Sequence, residues 1–235
     1  SWEALDLAQV VGNTDIITAM YVVKRYIYFF GTASVEIWQN DGSTPFSRVD
    51  GGFIEAGTLS PYSIITSEDD LFWLSDKRKF LHFNGNSTKE LICPYLKEIE
   101  KFKTVEDCTG DSIEISGQTF YIWNFKGANK TYVYNVKTEK WSEFGDYDSD
   151  LDVYDKWLYN TYVYAKAWGL HLVGRKNSPK IDILSDQYYK DADNSPIRPL
   201  HLTGNISNGT LQNKRVNFLR LAAKTGVNGG YLMFQ

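Results

Sequence analysis

Cysteine and methionine are scarce in this chain of 235 residues, which contains two of each. Cys93 and Cys108 form no CxxC pair and no cysteine–histidine ligand set, so the sequence predicts neither a zinc site nor a disulfide framework. A disulfide between the two stays open, but free thiols in a reducing compartment are the simpler interpretation. No apolar run approaches the roughly 18 residues of a membrane span, and no signal-peptide core follows Ser1. The sequence therefore predicts no membrane partner.

A stripe of basic residues is also missing. The chain carries 25 lysines and arginines against 29 acidic residues, a net charge of −4. The densest basic group is interrupted by acids: it consists of Lys97, Lys101 and Lys103, interleaved with Glu98, Glu100 and Glu106. Proteins that grip duplex DNA derive most of their affinity from clustered cations that displace counterions. The sequence therefore does not predict a DNA-gripping protein.

The motifs of the common enzyme classes are absent. The chain has no GxSxG elbow, no GxxxxGK[ST] phosphate loop, no HExxH, no GxGxxG and no sialidase-type Ser-x-Asp-x-Gly-x-x-Trp box. His82, His171 and His201 stand far apart in sequence and are interpreted as ordinary strand histidines. The sequence predicts that the protein is not an enzyme and assigns no catalytic, cofactor-binding or metal-binding residue. Glycoside hydrolysis by a pair of carboxylates is the weakest of three functional hypotheses.

One acidic stretch resembles the start of a calcium-binding loop. Its aspartates alternate along the chain: Asp146, Asp148, Asp150 and Asp152. Such a loop requires glycine at its sixth position and glutamate at its twelfth. Those positions are Leu151 and Trp157 here, so we expect a solvated acidic loop.

Aromatic residues are abundant instead, making up 15% of the chain, and they suit the pleated, half-buried surface of a strand. They occur in repeated groups of short strands: Tyr26–Phe30 with Val35–Trp38, Leu71–Leu74 with Lys79–Phe83, Thr119–Trp123 with Thr131–Val136, and a looser copy at Tyr162–Tyr164, Gly169–Val173 and Lys180–Leu184. The first strands recur roughly every 45 residues, the spacing of four-stranded propeller blades. The predicted fold is all-β, a β-propeller or partial propeller of four-stranded antiparallel blades.

A single segment has helical periodicity. Tyr95, Ile99 and Phe102 fall on one face of a helix that has Pro94 in its first turn. We expect one short helix of about two turns. Residues 1–235 are expected to form a single propeller-like β domain that is a fragment of a longer chain, because a strand pattern is still in progress at the last residues, 230–235.

The stretch TYVYNVKTEKWSEFG, residues 131–145, predicts a hairpin: a β-rich strand, a polar turn and a second strand with Trp141 near its start. We expect the ring of Trp141 to pack between two blades, because large aromatic side chains fill the space between packed sheets.

An ordered set of elements runs from Arg25 to Phe102. It comprises the aromatic strand into Phe30-Gly31, Ser34–Trp38 with Glu36, Pro45-Phe46, Arg48, Ile54-Glu55-x-Gly57, Leu71–Leu74 and Glu98-Ile99-Glu100. It continues collinearly through Tyr132–Asn135 with Trp141, Leu172–Gly174, Ile181–Leu184 and Leu219–Leu221. As a set, these elements resemble the tail hub, or nozzle, proteins of short-tailed bacteriophages, also called packaged-DNA stabilisation proteins. Arg175 departs from the pattern, since such proteins often carry an acid there.

The resemblance implies a structural virion protein of the tail, assembled in the host cytoplasm. It implies a homo-oligomeric ring, a hexamer, below the portal and its adaptor ring. The ring would retain packaged DNA and anchor tailspikes, fibres or a tail needle, and no cofactor is implied. The mildly acidic charge balance fits a conduit through which DNA passes without sticking.

A carbohydrate-binding, kelch-like propeller module is the alternative. In that case exposed aromatic residues at loop tips, such as Tyr147, Tyr154 and Trp157, would serve as stacking platforms for sugars. The competing interpretation of the same residues is that alternate aromatic side chains simply fill the space between blades.

Overall fold

The computed structural model describes residues 15–42, 46–148, 150–176, 178–188, 190 and 197–200. In this part of the chain, seventeen strands form five antiparallel sheets, here called sheets A to E. The chain divides into two compact units, Ser1–Arg198 and Pro199–Gln235, and all five sheets belong to the first. The single domain over residues 1–235 stays a prediction, because residues 201–235 lie outside the described part.

The sheets follow one another along the chain. Sheet A contains β1 (Ile17–Val23), β2 (Tyr26–Gly31), β3 (Val35–Gln39) and β4 (Ser47–Ile54). Sheet B contains β5 (Ile65–Ser67), β6 (Asp70–Leu74), β7 (Phe80–Phe83) and β8 (Thr88–Glu90). Sheet C contains β9 (Cys108–Ile115), β10 (Gln118–Phe125), β11 (Lys130–Asn135) and β12 (Lys140–Glu143). Sheet D contains β13 (Gly145–Asp148) and β14 (Val153–Lys156), and sheet E contains β15 (Tyr159–Ala165), β16 (Leu170–Arg175) and β17 (Ile181–Leu184).

Within every sheet each strand pairs with the next strand in sequence, so each sheet is a simple meander. Short turns make this possible. Between β9 and β10 the turn consists of Ser116 and Gly117, both with positive φ (51° and 68°). This is the backbone that a two-residue hairpin requires, because its twist matches that of the flanking strands. The predicted all-β antiparallel sheets are therefore present; sheets A, B and C have the predicted four strands, whereas sheet E has three and sheet D has two.

The two central strands of sheet B, β6 and β7, are buried on both faces, whereas β8 is exposed. The four consecutive residues of β6, Leu71 to Leu74, are all buried. Alternate side chains of a strand point to opposite faces, and accordingly Leu71 and Trp73 pack toward sheet A, whereas Phe72 and Leu74 pack toward sheet C. This arrangement explains why β6 is a continuous apolar run rather than an alternating one.

Two large cores result from this packing. The A–B core comprises Val23, Tyr28, Phe30, Val35, Ile37, Ile64, Leu71, Trp73, Leu81 and Phe83. The B–C core comprises Ile65, Phe72, Leu74, Phe80, Leu91, Cys93, Ile99, Val105, Cys108, Tyr121, Trp123, Phe125, Tyr132 and Tyr134. A smaller C–E core centres on Ile113, Ile122 and Val133, with Tyr162 and Leu184 of sheet E packed against it.

The predicted short helix is confirmed, but it is shorter than two turns. α1 spans Leu96–Ile99. Ile99 is buried, and Tyr95 and Phe102 at the flanks pack against the B–C core, so the predicted apolar face is the one that packs. A second helical element, the 3₁₀ turn Pro61–Ser63, was not predicted. Among the described residues, no helix has the length and apolar character needed to cross a membrane.

The acidic stretch around Asp148 departs from the prediction. It was expected to be a solvated loop, but β13 and β14 pair there as the two-stranded sheet D. Tyr147 lies directly opposite Tyr154 in this pair, and their ring centroids are 5.0 Å apart. A cross-strand aromatic pair stabilises a hairpin, which accounts for strands in so acidic a sequence.

The segment Thr58–Ser63 joins the sheets through buried polar groups. Thr58 Oγ1 donates to Leu74 O (2.8 Å), and Ser63 Oγ accepts from Leu74 N (3.2 Å), both in sheet B. Ser63 O accepts from Trp123 Nε1 of sheet C (2.9 Å). Thr58 N also donates to Gly31 O of sheet A (2.9 Å). Because buried polar groups are costly unless they are paired, this segment fixes the first three sheets to one another.

Candidate functional site

Trp141 lies where the sequence predicted. Its ring is 5.1 Å from that of Tyr134 and 5.7 Å from that of Trp123, both in sheet C. It is also 4.8 Å from the ring of Phe80 in sheet B. The ring therefore packs between two sheets, and the hairpin from Tyr132 to Phe144 is a structural element of the B–C core.

Sheet A carries a second, outward apolar face. Val23 points into the A–B core, whereas its neighbour Val22 and the alternate residue Met20 are 61% and 60% exposed. On the same face Phe29 packs edge-on against Trp38, with ring centroids 6.0 Å apart. Sheet A thus has apolar side chains on both faces, as sheet B has.

Sheet E shows the same feature at the other end of the series. Val173 is buried toward the C–E core. The opposite face presents Val163, Ile181 and Ile183, which are 57%, 72% and 46% exposed. Contiguous exposed apolar residues on a sheet are typical of surfaces that contact another polypeptide segment. The outer faces of sheets A and E are therefore candidate assembly surfaces.

The three aromatic residues of the carbohydrate hypothesis do not form an open platform. Trp157 packs against Phe144 and Tyr159, with ring centroids 5.8 and 5.1 Å away. Tyr147 is covered by the guanidinium of Arg198, whose central carbon lies 4.4 Å from the ring centroid. These rings are engaged within the protein, as expected of side chains that fill space between strands.

The alternating aspartates serve local structure. Asp148 Oδ1 accepts the backbone N–H groups of Asp150 (2.8 Å) and Leu151 (3.1 Å), closing the turn between β13 and β14. Asp152 accepts from Tyr147 Oη (2.7 Å) and from Arg198 Nη1 (3.1 Å). In the described part of the chain, no group of three or more histidine, cysteine, aspartate or glutamate side chains could hold a metal ion.

Two histidines lie in different sheets and make local contacts. His82 Nε2 is 2.6 Å from Asp70 Oδ2, and its ring stacks on Phe72. His171 Nδ1 is 2.6 Å from Tyr162 Oη in sheet E. Each therefore acts as an ordinary strand histidine, and His201 lies outside the described residues.

Both cysteines are free and buried in the B–C core. Burial raises the pKa of the Cys93 thiol to about 11, although a backbone hydrogen bond from Tyr95 partly offsets the effect. Burial also raises the pKa of the Cys108 thiol well above its ordinary value. Since the thiolate is the reactive form, neither cysteine is a nucleophile at neutral pH.

A small cleft between sheets C and E contains polar groups that sequence analysis missed. Asp111 and Asn124 line it from β9 and β10, and Trp157, Tyr159 and Tyr162 line it from the other side. Burial raises the pKa of Asp111, while hydrogen bonds from the backbone of Ser112 and Tyr162 lower it. The sequence held a signal: Asp111 and Ile113 alternate in β9, so the carboxylate shares the face of a core isoleucine. The cleft, at about 20 Å³, is far too small for a sugar ring.

The family model described as bacteriophage P22 Gp10, β-propeller, matches residues 4–189, which is more than half of the chain. No curated protein sequence matches the chain. The match confirms the predicted propeller fold and the resemblance drawn from residues 25–102. Successive antiparallel meanders are the units from which β-propellers are built. The chain belongs to the bacteriophage P22 Gp10 β-propeller family and is a structural protein of a bacteriophage.

Proposed function

We propose that the protein forms the tail hub, or nozzle, of a short-tailed phage, where it retains packaged DNA and anchors tail fibres or spikes. The observation that carries the proposal is the family match over residues 4–189. The packing supports a mechanical role, because sheets buried on both faces resist deformation. The protein would act in the virion tail after assembly in the host cytoplasm.

The proposed partners are further copies of the chain, in a hexameric ring, together with the portal adaptor ring and the tail fibres, spikes or needle. The outer faces of sheets A and E support contacts of this kind, since they offer apolar area beyond what a solvated sheet carries. A ring requires heterologous contacts, in which one surface of a copy meets a different surface of the next. Residues 1–235 would form one propeller-like domain of each copy.

DNA retention would be steric. With a net charge of −4, the chain offers a passing duplex no excess of cations. Three lysines of the described part form ion pairs with nearby acids: Lys24 with Asp69, Lys79 with Glu90, and Lys130 with Glu143. The assembled ring would close the exit of the head rather than bind the genome, and no enzymatic step is part of the proposal.

A stop codon in this gene, in a phage that encodes it, tests the proposal. We expect heads that package DNA and then lose it, together with particles that lack fibres or spikes. Supplying the protein from a plasmid should restore both. Particles that keep their DNA and their fibres without this protein would contradict the hub role.

A glycan array with the purified chain tests the carbohydrate alternative separately, and we expect no binding.

A further inference from the structure

On the side of sheet C, the cleft between sheets C and E is lined by side chains of the paired strands β9 and β10. In the pairing of β9 with β10, Asn124 lies opposite Thr109, and Ile122 lies opposite Asp111. Residues paired in this way, and those two positions along, share one face of a sheet. The polar side chains of Asp111 and Asn124 therefore stand beside Ile122 on the face that packs against sheet E.

Asn124 is the central group of the cleft. It is only 6% exposed. Its Nδ2 donates a long hydrogen bond to Trp157 O (3.4 Å), which connects β10 to the segment before sheet E. Its Oδ1 is buried and has no hydrogen-bond partner among the described residues. Buried side-chain acceptors without a partner are rare in folded proteins, so this oxygen indicates that a donor occupies the cleft.

No described residue donates a hydrogen bond to Asn124 Oδ1. Thr109, Asn160 and Thr161 also line the cleft and carry donor groups, but none of them bonds to this oxygen. The Asp111 carboxylate is an acceptor, and its Oδ1 already accepts the backbone N–H group of Ser112 (2.8 Å). Tyr159 Oη donates to Asp182 (2.9 Å), and Tyr162 Oη donates to Glu114 O (3.1 Å), so both hydroxyl protons point elsewhere. Asn124 Oδ1 thus stays an unpaired acceptor among the described residues, and a bound species that donates a hydrogen bond would satisfy it.

The size and charge of the cleft select that species. Its volume of about 20 Å³ corresponds to a single water molecule. A divalent cation would require several oxygen ligands with more than one carboxylate, and Asp111 is the only carboxylate that lines the cleft. A water molecule has two protons to donate, which matches the two acceptor side chains.

We propose that one ordered water molecule binds between sheets C and E and donates hydrogen bonds to Asn124 Oδ1 and to the Asp111 carboxylate. The site does not depend on the tail-hub role. It makes the C–E interface a wet contact, whereas the A–B and B–C cores consist of apolar and aromatic side chains. Sheet E is then held by a bridging solvent molecule as well as by the small C–E core.

A high-resolution crystal structure of the 235-residue chain tests the proposal. We expect one peak in the cleft, about 2.9 Å from Asn124 Oδ1, and in NMR a water-to-protein NOE at residues lining the cleft. An empty cleft would overturn the proposal. So would a peak with several oxygen neighbours at about 2.3–2.6 Å, which would be a cation.

Asn124→Leu provides a second measurement, because leucine has a similar volume and no acceptor. If water satisfies Asn124 Oδ1, the variant should lose the NOE and its folding equilibrium constant should fall by about tenfold in urea titrations. If the cleft is dry, the unaltered chain should show no such NOE, which would overturn the proposal; the folding constant alone does not decide, because Asn124→Leu also removes the hydrogen bond to Trp157 O. Thr161→Val at the exposed rim is the matched control and should retain the NOE. If Asn124→Leu does not fold, the crystal structure and the NOE of the unaltered chain decide.

Discussion

Asp15, just before β1, ties two distant parts of sheet A together. Its carboxylate accepts the backbone N–H groups of Thr32, Ala33 and Ser34, each at 2.8 Å, together with the hydroxyls of Thr32 and Ser34. Partial burial raises the pKa of this carboxyl, but the hydrogen bonds outweigh burial and lower the pKa to about 2. The turn between β2 and β3 therefore binds an ionised carboxylate.

Asp15→Asn should destabilise the protein at pH 6 by about 1 kcal/mol, the usual contribution of a side chain that caps backbone N–H groups. The pKa of Asp15 is lower in the folded protein than its ordinary value of 3.8. Its contribution is therefore present above pH 3.8 and is lost as the pH falls toward 2. Urea titrations measure the free energy of unfolding of both proteins from pH 6 to pH 2. The difference between the two values should shrink as the pH falls. Asp69→Asn is the control, because Asp69 forms only an exposed ion pair with Lys24. A difference independent of pH would contradict this assignment.

Trp73 and Trp141 are two aromatic residues of the cores whose removal should be costly. Trp73 is fully buried in the A–B core, and Trp141 fills the space between sheets B and C. Each substitution by alanine should lower the free energy of unfolding by roughly 3 kcal/mol. Trp168→Ala is the matched control, because Trp168 is 74% exposed, and its substitution should change stability by less than about 0.5 kcal/mol. Unchanged melting temperatures in both core variants would show that these rings are not part of the core.

At the scale of elements, the segment Thr58–Ser63 packs so closely against β9 that no side chain fits at Gly110. A Cβ at Gly110 would lie 2.6 Å from Ser63 O and 2.7 Å from Ile65. Gly110→Ala should therefore push this segment away from β9 and cost about 1–3 kcal/mol. Thermal unfolding measures the loss. Ser142→Ala on the exposed strand β12 is the control and should be nearly neutral. A Gly110→Ala variant as stable as the control would mean that the segment is not fixed against sheet C.

The sequence predicted elements better than it predicted the contacts between them. Alternating aromatic residues and polar turns were sufficient to locate β2, β3, β6, β7, β10 and β11, because strand pairing within each sheet is local. Sheet D was missed because its aspartates suggested a loop, and the Tyr147–Tyr154 pair becomes visible only once the register is known. The roles of Asp15 and Asn124 depend on partners 17 to 33 residues away. No local pattern encodes such distances.

At the scale of the whole molecule, the charge balance predicts weak DNA binding. With a net charge of −4, the free chain should bind duplex more weakly than about 100 μM at physiological salt. Fluorescence anisotropy with a labelled duplex at several salt concentrations measures this. The double variant Glu98→Lys, Glu100→Lys creates a run of basic residues around α1 and is the positive control, which should bind with a steep salt dependence. A dissociation constant near ~1 μM for the unaltered chain would replace the conduit proposal with direct DNA binding.

The double burial of sheet B has a consequence for synthesis on the ribosome. A nascent chain that has emerged as far as Phe83 can complete the A–B core, because every member of that core lies between Val23 and Phe83. At that stage Phe72 and Leu74 still face solvent, since their partners in sheet C begin at Cys108. A cotranslational intermediate with one finished and one exposed apolar face should therefore exist while roughly the next 50 residues are translated, a few seconds at typical elongation rates. Chaperones that capture apolar strands would act on the protein in that interval.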